Sequence, residues 1–382
     1  MTQAKKVSKP QAQVYFTDFH MPYGGDPLPV KLAKLMKKAG FDKIDFKNKF
    51  VAIKMHFGEG DNVAFLRPQY ARVVVEAVKA AGGKPFLTDC NTLYVGTRKN
   101  ALEHLDIAYQ HGFNPLCTDC HVIIADGLKG TDEALLPVPN GEFVKEAKVG
   151  HALADADIII SLTHFKGHEM AGFGGAIKNI GMGGGSRAGK MEMHTDGKMV
   201  VDQEKCVGCG NCVKICAHGA PSITNHKSTI DIDKCVGCGR CLGLCPTDAI
   251  APVNWRSAGL MNKRMAEYAA AIVNGKPQFH ISLIMDVSPN CDCHSENDVP
   301  IVNDIGMLCS MDMVAIDQAC ADLVNAAPIL PGSQLAKNVA KDPEGAKKHD
   351  HFKMTTPDSE WQTCLEHAEK ICLGTRKYKL VK

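Results

Sequence analysis

With 382 residues, 45% of them apolar, and a formal net charge of +2, the chain has the composition of an ordinary globular protein of two or three domains. A balance this near neutral leaves no electrostatic footprint for nucleic acid or for an anionic membrane surface. Apolar runs such as Ile158 to Leu162 are far too short to span a bilayer, and Met1 to Pro10 carries charge with no apolar segment behind it, unlike a signal peptide.

In chain order, Phe50-Val-Ala-Ile-Lys-Met-His56 reads as a strand ended by Gly58-Glu-Gly60. A helix opened by Pro68 and closed by Gly82-Gly83 follows, with Val73, Val74, Ala77, Val78 and Ala81 on one stripe. Lys84 to Asp89 is the next strand and completes a βαβ unit. A helix from about Thr97 to Gln110, a short strand at Val122 to Ala125 and a buried strand at Ala156 to Leu162 come next. Beyond a cysteine-rich middle, His280 to Met285 and Gly306 to Cys309 resume the pattern, and Asp312 caps a further helix. This alternation predicts an α/β fold, a mostly parallel sheet flanked by helices.

In open α/β sheets, ligands bind beyond the carboxyl ends of the strands. Four strands here end in reactive groups: His56; Asp89-Cys90-Asn91 with Tyr94; Thr163-His164-Phe-Lys166-Gly-His168; and Asn290-Cys291-Asp-Cys293-His294. The expectation is a shared crevice with His56, Asp89, Cys90, His164, Lys166, His168 and Lys178 as candidate catalytic residues. The histidines are the natural proton carriers near neutral pH, and Lys166 and Lys178 would neutralise a carboxylate, phosphate or developing oxyanion. Each also has a plainer reading, as a packed histidine, a turn brace or a solvent-facing lysine. Cys291, Cys293 and His294 are candidates for a third metal site, against packed thiols and local turn chemistry.

Three further motifs weigh less. Gly172 to Asn179 reads as a glycine-rich loop opening a helix, a form that can cradle an anion on backbone N–H groups. Gly184 to Lys190 imitates a phosphate-binding loop, but Met191 stands where Ser or Thr should hold magnesium, so a nucleotide triphosphatase is rejected. Cys117-Thr-Asp-Cys120-His121 matches the haem c attachment pattern, which needs export.

The strongest signal is a pair of runs, Cys206-x2-Cys209-x2-Cys212-x3-Cys216 and Cys235-x2-Cys238-x2-Cys241-x3-Cys245-Pro246, with Val-Gly and Gly at matching places. This is the spacing that wraps thiolates around cubane iron–sulfur clusters, the fourth cysteine of each run serving the other cube. One [4Fe–4S] cluster is therefore expected on Cys206, Cys209, Cys212 and Cys245, the second on Cys235, Cys238, Cys241 and Cys216. Structural zinc uses paired cysteines instead, and seventeen cysteines without export point to a reducing cytoplasm. Residues 197–252 read as a small α+β bacterial-type ferredoxin domain, inserted between two parts, 1–196 and 253–382, of one α/β domain. Pro252 and Trp255 mark the return.

Ile53-Lys-Met-His-Phe-Gly58, Leu87-Thr-Asp-Cys90, Thr163-His-Phe-Lys-Gly-His168 and Gly175-Ala-Ile-Lys178-Asn179 together carry a family resemblance, as do Cys291-Asp-Cys293, Asp304-Ile-Gly306 and Ala315-Ile-Asp317-Gln-Ala319. From about residue 40 to 330 the chain resembles the iron–sulfur centre proteins of domain of unknown function 362. The resemblance implies a cytoplasmic iron–sulfur protein of this architecture. Two functions compete: a redox enzyme whose cubanes feed electrons to a small-molecule substrate in the crevice, and an electron-transfer subunit docking a partner reductase. Delivery of iron–sulfur or metal is a third, resting on the surplus cysteines.

Overall fold

The apolar runs converge in one eight-stranded sheet. The computed structural model describes residues 11–93, 96–195, 197–254 and 257–382, so Met1 to Pro10, Tyr94, Asp196 and Trp255 lie outside the described residues. The strands are β1 (Ala12–Asp18), β2 (Phe50–Lys54), β3 (Lys84–Asp89), β4 (Val122–Ile124), β5 (Ile158–His164), β6 (Gln278–Ile284), β7 (Gly306–Ser310) and β8 (Tyr378–Val381). Their spatial order is β8-β1-β7-β6-β5-β2-β3-β4. Seven run in one direction, and β7 alone runs against its neighbours β1 and β6.

Side chains alternate between the two faces of a strand, and both faces here are covered, so the central strands are apolar throughout. In β5, Ile158, Ile160 and Leu162 join one core with the helices Leu28–Lys38, Pro68–Ala80 and Ala101–Gln110, whereas Ile159 joins the other. That second core is filled by Ala176–Gly184, Ala258–Val273, Met313–Ala326 and Trp361–Lys370. Two of its helices approach closely: a Cβ on Gly181 would run into the Met265 carbonyl.

Several local expectations need correction. The Pro68 helix buries Tyr70, Ala71, Val74, Val75 and Val78, while Val73 and Ala77 sit at the margin and Ala81 is exposed. The next helix begins at Ala101, because the Asn100 side chain accepts from the Leu102 and Glu103 N–H groups and caps it there. β5 is shifted two residues along and includes Thr163 and His164; Asp157 turns back to accept from the Phe50 N–H at 2.8 Å. The glycine-rich stretch is not an open anion cradle. Gly172–Gly174 pairs with Lys166–His168, and the helix that follows is capped by Asp317, which accepts from Ala176 N–H (2.6 Å) and Ile177 N–H (3.0 Å). Burial pushes that carboxyl up to about 7.

Residues 197–254 add no strand to the large sheet among the described residues. They form two antiparallel pairs, Met199–Val201 with Ile250–Pro252 and Pro221–Thr224 with Lys227–Ile230. Gly208 and Gly237, at matching places in the two cysteine runs, adopt φ of 68° and 70°. A Cβ there would strike the carbonyls of His226 and Gly197, so both positions require glycine.

Candidate functional site

All seven crevice candidates line one cavity at the carboxyl ends of the parallel strands, enclosing about 710 Å³ of space that opens to solvent. From β2 comes Lys54, fully buried, its Nζ 2.9 Å from Asp89 Oδ1 and 2.9 Å from Asn179 Oδ1. Asn179 is fixed in turn by donating to Lys54 O and Thr163 Oγ1, both at 3.0 Å. Replacing Lys54 with Met would leave Asp89 a buried carboxylate held by the Cys90 N–H at 2.9 Å, with the cationic side chain of Arg98 and the ring of His104 no closer than 3.9 Å. The expected loss in chemical denaturation is about 3 kcal/mol, the lower end for breaking a buried ion pair. A loss below about 1 kcal/mol would mean that Asp89 is not carried as a charge.

The three histidines have different roles. His164 is a brace, with Nδ1 2.8 Å from Asp292 Oδ2 and Nε2 2.7 Å from Met285 O, so neither nitrogen is left for a substrate. Burial opposes the Asp292 charge, yet His164 and Lys166 outweigh it and bring that carboxyl down to about 2. His168 accepts at Nδ1 from the Met170 and Ala171 N–H groups, and burial with the Lys178 charge lowers it to about 4. His56 is held well below its ordinary pKa by burial and then by Arg98. Cys90 is buried and donates to Gly184 O, and burial drives its thiol far above the usual range, which disfavours a thiolate nucleophile.

Beside this cavity the sulfurs of Cys291 and Cys293 and an imidazole nitrogen of His168 lie within 4.8 Å of one another, as do groups of Glu169, Cys293 and His294. Cys293 belongs to both sets and lines the cavity. Lys178 Nζ stands 3.4 Å from Cys291 Sγ. Burial opposes the Lys178 charge, but the two thiols and Glu169 hold it above its ordinary value. The expected partner of the two thiols was His294; the structure adds His168 from the neighbouring hairpin.

The eight clustered cysteines divide into two quartets. Cys206, Cys209, Cys212 and Cys245 line one pocket of about 330 Å³, and Cys216, Cys235, Cys238 and Cys241 line another of about 350 Å³, both partly open. Among the described residues, no three of these thiols come within 4.8 Å of one another, as a single-ion site would require.

The helix Arg187–His194 touches both the cavity and the second quartet's loop. Lys190 and His194 line the cavity. On the same stripe, at the i, i+3, i+4, i+7 spacing, Arg187 and Met191 lie against the Cys238–Cys241 loop; a Cβ on Gly239 would come within 2.9 Å of Met191, 3.2 Å of Arg187 and 3.5 Å of Leu93. Leu93 lines the cavity and also packs in the apolar group that contains Cys206, Cys212, Cys235, Cys241 and Cys245. Lys99 ties the same wall to the cysteine-rich segment through Asp248 at 2.8 Å.

A family model described as Domain of unknown function (DUF362) matches residues 51–322. The chain belongs to the DUF362 family. The DUF362 match runs from β2 into the helix Met313–Ala326 and so takes in the cavity and both quartets. No curated protein matches the chain. Among solved structures, it is similar to the lactate racemase apoprotein from Thermoanaerobacterium thermosaccharolyticum, at 14% identity and a TM-score of 0.35, covering 72% of this chain and 51% of that one. It is also similar to a protein of Thermotoga maritima, at 14% identity and a TM-score of 0.39, covering 78% and 58%. The chain thus spans little more than half the length of either structure. No helix among the described residues is long and apolar enough to cross a membrane.

Sequence reasoning missed several lining residues of this DUF362 cavity: Lys54, Arg98, Asn179, Lys190 and His194. Lys54 had a signal, since a lysine inside an otherwise apolar strand must find a buried partner. Arg98, two residues before its helix cap, had none.

Proposed function

We propose that the protein is a redox enzyme carrying two [4Fe–4S] clusters, one on Cys206, Cys209, Cys212 and Cys245, the other on Cys216, Cys235, Cys238 and Cys241, and acting on a small molecule in the cavity. The observation that carries this is one stripe of the helix Arg187–His194, whose Lys190 and His194 line the substrate cavity while Arg187 and Met191 touch the second quartet's loop. At Leu93 a single side chain both lines the cavity and lies against Gly239 of the second quartet's loop. When bound, such clusters supply single electrons. The chain's own residues do the rest. Leu93 and Met191 keep the intervening space apolar, Lys166 and Lys178 present positive charge to the substrate, and His56, held neutral, offers a proton at Nε2.

The quartet pockets suit four thiolates spread around a cube better than one ion. We assign residues 197–252 to a ferredoxin-like insertion between two parts, 1–196 and 253–382, of the α/β domain. None of the seventeen cysteines is paired in a disulfide, which fits a reducing cytoplasm. Both runs reach the surface, with Cys209 and Val207 exposed in the first and Val236 in the second, so a redox partner protein would dock on this cysteine-rich segment. Anaerobically purified protein should contain about eight irons and as many acid-labile sulfides per chain. Zinc in place of iron, or iron without sulfide, would overturn the assignment. A stoichiometric reductase retained through purification, with no small molecule able to reoxidise the reduced protein, would favour the electron-transfer subunit instead.

A further inference from the structure

We infer that the cavity holds its substrate by an oxyanion, a carboxylate or a phosphate, seated between Arg98 and His56. The inference rests on reading the cavity as a substrate site and deepens it. Arg98 is 1% exposed and lines the cavity. Its Nε donates to Glu59 Oε2 at 3.0 Å, its Nη1 is 3.1 Å from His56 Nε2 and 3.9 Å from Asp89 Oδ2, and its buried Nη2 has no partner among the described residues. Buried guanidinium donors are ordinarily satisfied, so an orphan in a cavity wall marks a place for an acceptor.

The second observation is a mismatch of donors. His56 Nδ1 accepts from the Gly58 N–H at 2.9 Å, so the neutral ring carries its proton on Nε2. That N–H and the Arg98 Nη1 donor therefore face one another at 3.1 Å with no acceptor between them. An oxyanion oxygen drawn in from the cavity resolves the mismatch by accepting from both, while the second oxygen takes the free Nη2. Guanidinium forks match carboxylate and phosphate geometry in this two-point manner.

The surrounding charge agrees. Lys54, Arg98, Lys166, Lys178 and Lys190 line the cavity, and Asp89, already paired with Lys54, is the one lining carboxylate among the described residues. Glu59 and Asp292 stand behind Arg98 and Lys166 and offset part of that charge. Lys166 and Lys178 converge over Gly174, where a Cβ would meet Lys166 Nζ at 3.0 Å and Lys178 Cδ at 3.6 Å. Each ammonium has three donors to place and so can share a bound anion.

The test is calorimetric titration of the anaerobically purified protein with oxalate and, separately, inorganic phosphate. At least one should bind, and Arg98→Gln should weaken it at least tenfold. Because Arg98→Gln strands Glu59, the double variant Glu59→Gln/Arg98→Gln is titrated beside it, with thermal melts to confirm folding. Arg98→Lys separates the two sources: loss of oxalate binding marks a carboxylate held by the fork, and retained phosphate binding marks a point-charge phosphate site. Binding of neither anion to the native protein, or equal binding to the folded Arg98→Gln variants, would overturn the inference. Iron and sulfide measured on the same sample keep the two readings apart, since anion binding without clusters would sink only the redox assignment.

Discussion

Replacing Cys216 with serine is expected to remove the same cluster as replacing Cys238, although Cys216 belongs to the other run. Cys216 lines the pocket of Cys235, Cys238 and Cys241, while Cys245 lines that of Cys206, Cys209 and Cys212. A cube loses its anchorage when one of four thiolates goes, so each single variant should fall from about eight irons to about four. The doubles decide the matter. Cys216→Ser/Cys238→Ser should still hold about four irons, because both lesions strike one site, whereas Cys206→Ser/Cys216→Ser should hold almost none. Iron counts by chain order, with Cys206 and Cys216 sharing one fate, would refute the crossed arrangement. A single-ion site in either pocket would give neither pattern, since loss would come in units of one metal.

Substituting Glu267 should produce the largest loss of stability of any single carboxylate. Its side chain is fully buried in the helix Ala258–Val273 and accepts from the N–H groups of Glu142 (2.7 Å), Phe143 (3.1 Å) and Val144 (2.7 Å), and from His367 Nε2 at 2.8 Å. One carboxylate thus joins a loop, the central helix and the helix Trp361–Lys370. Glu267→Ala leaves the Val144 N–H and His367 Nε2 buried and unpaired, at about 1–3 kcal/mol each before relaxation, while the Glu142 and Phe143 N–H groups lie on exposed residues that water can reach. The expected total is about 3–4 kcal/mol, high among single substitutions. Burial opposes the charge, but His367 and the three backbone donors outweigh it and hold the carboxyl below its ordinary value. The folded state therefore binds the proton less readily than the unfolded chain. This stabilisation is present above the ordinary glutamate pKa of 4.5 and is lost as pH falls through the lower folded value. Denaturation curves from pH 7 to pH 3 should show that acid loss in the native protein and not in Glu267→Gln. A variant as stable as the native protein at pH 7 would show that the bonds are not made.

The central strands were legible because burial on both faces leaves an unbroken apolar run. Val51 to Ile53 and Ile158 to Leu162 could hardly be anything else. The crevice was legible for a related reason: polar groups such as Asp89 and His164 directly after such runs stand out against them. The two strands at one side of the sheet were not. In β1 only Val14 is fully buried, and β8 has no buried residue, so neither bears the signature of its neighbours. The helix Ala258–Val273 was missed for the opposite reason, being buried almost all round and so lacking a polar face to set its period. Long-range capture defeated the anion-cradle reading. Nothing near Gly175 announces that Asp317, from a helix far along the chain, will occupy that helix N-terminus.

The place of β1 in the sheet has a consequence for synthesis. It is the first described strand to leave the ribosome, yet Tyr15 pairs with Cys309 and Ala12 with Tyr378. At about 5–20 residues per second, the nascent strand waits roughly 15–60 s for its first neighbour. Meanwhile β2, β3 and β4 can already assemble on the partners that follow them closely. Co-translational folding should therefore start from the β2–β5 half, with β1 threaded into place last, between two strands translated long after it. Chaperones that shield Val14 and Phe16 during that interval would then govern yield without altering the stability of the finished molecule.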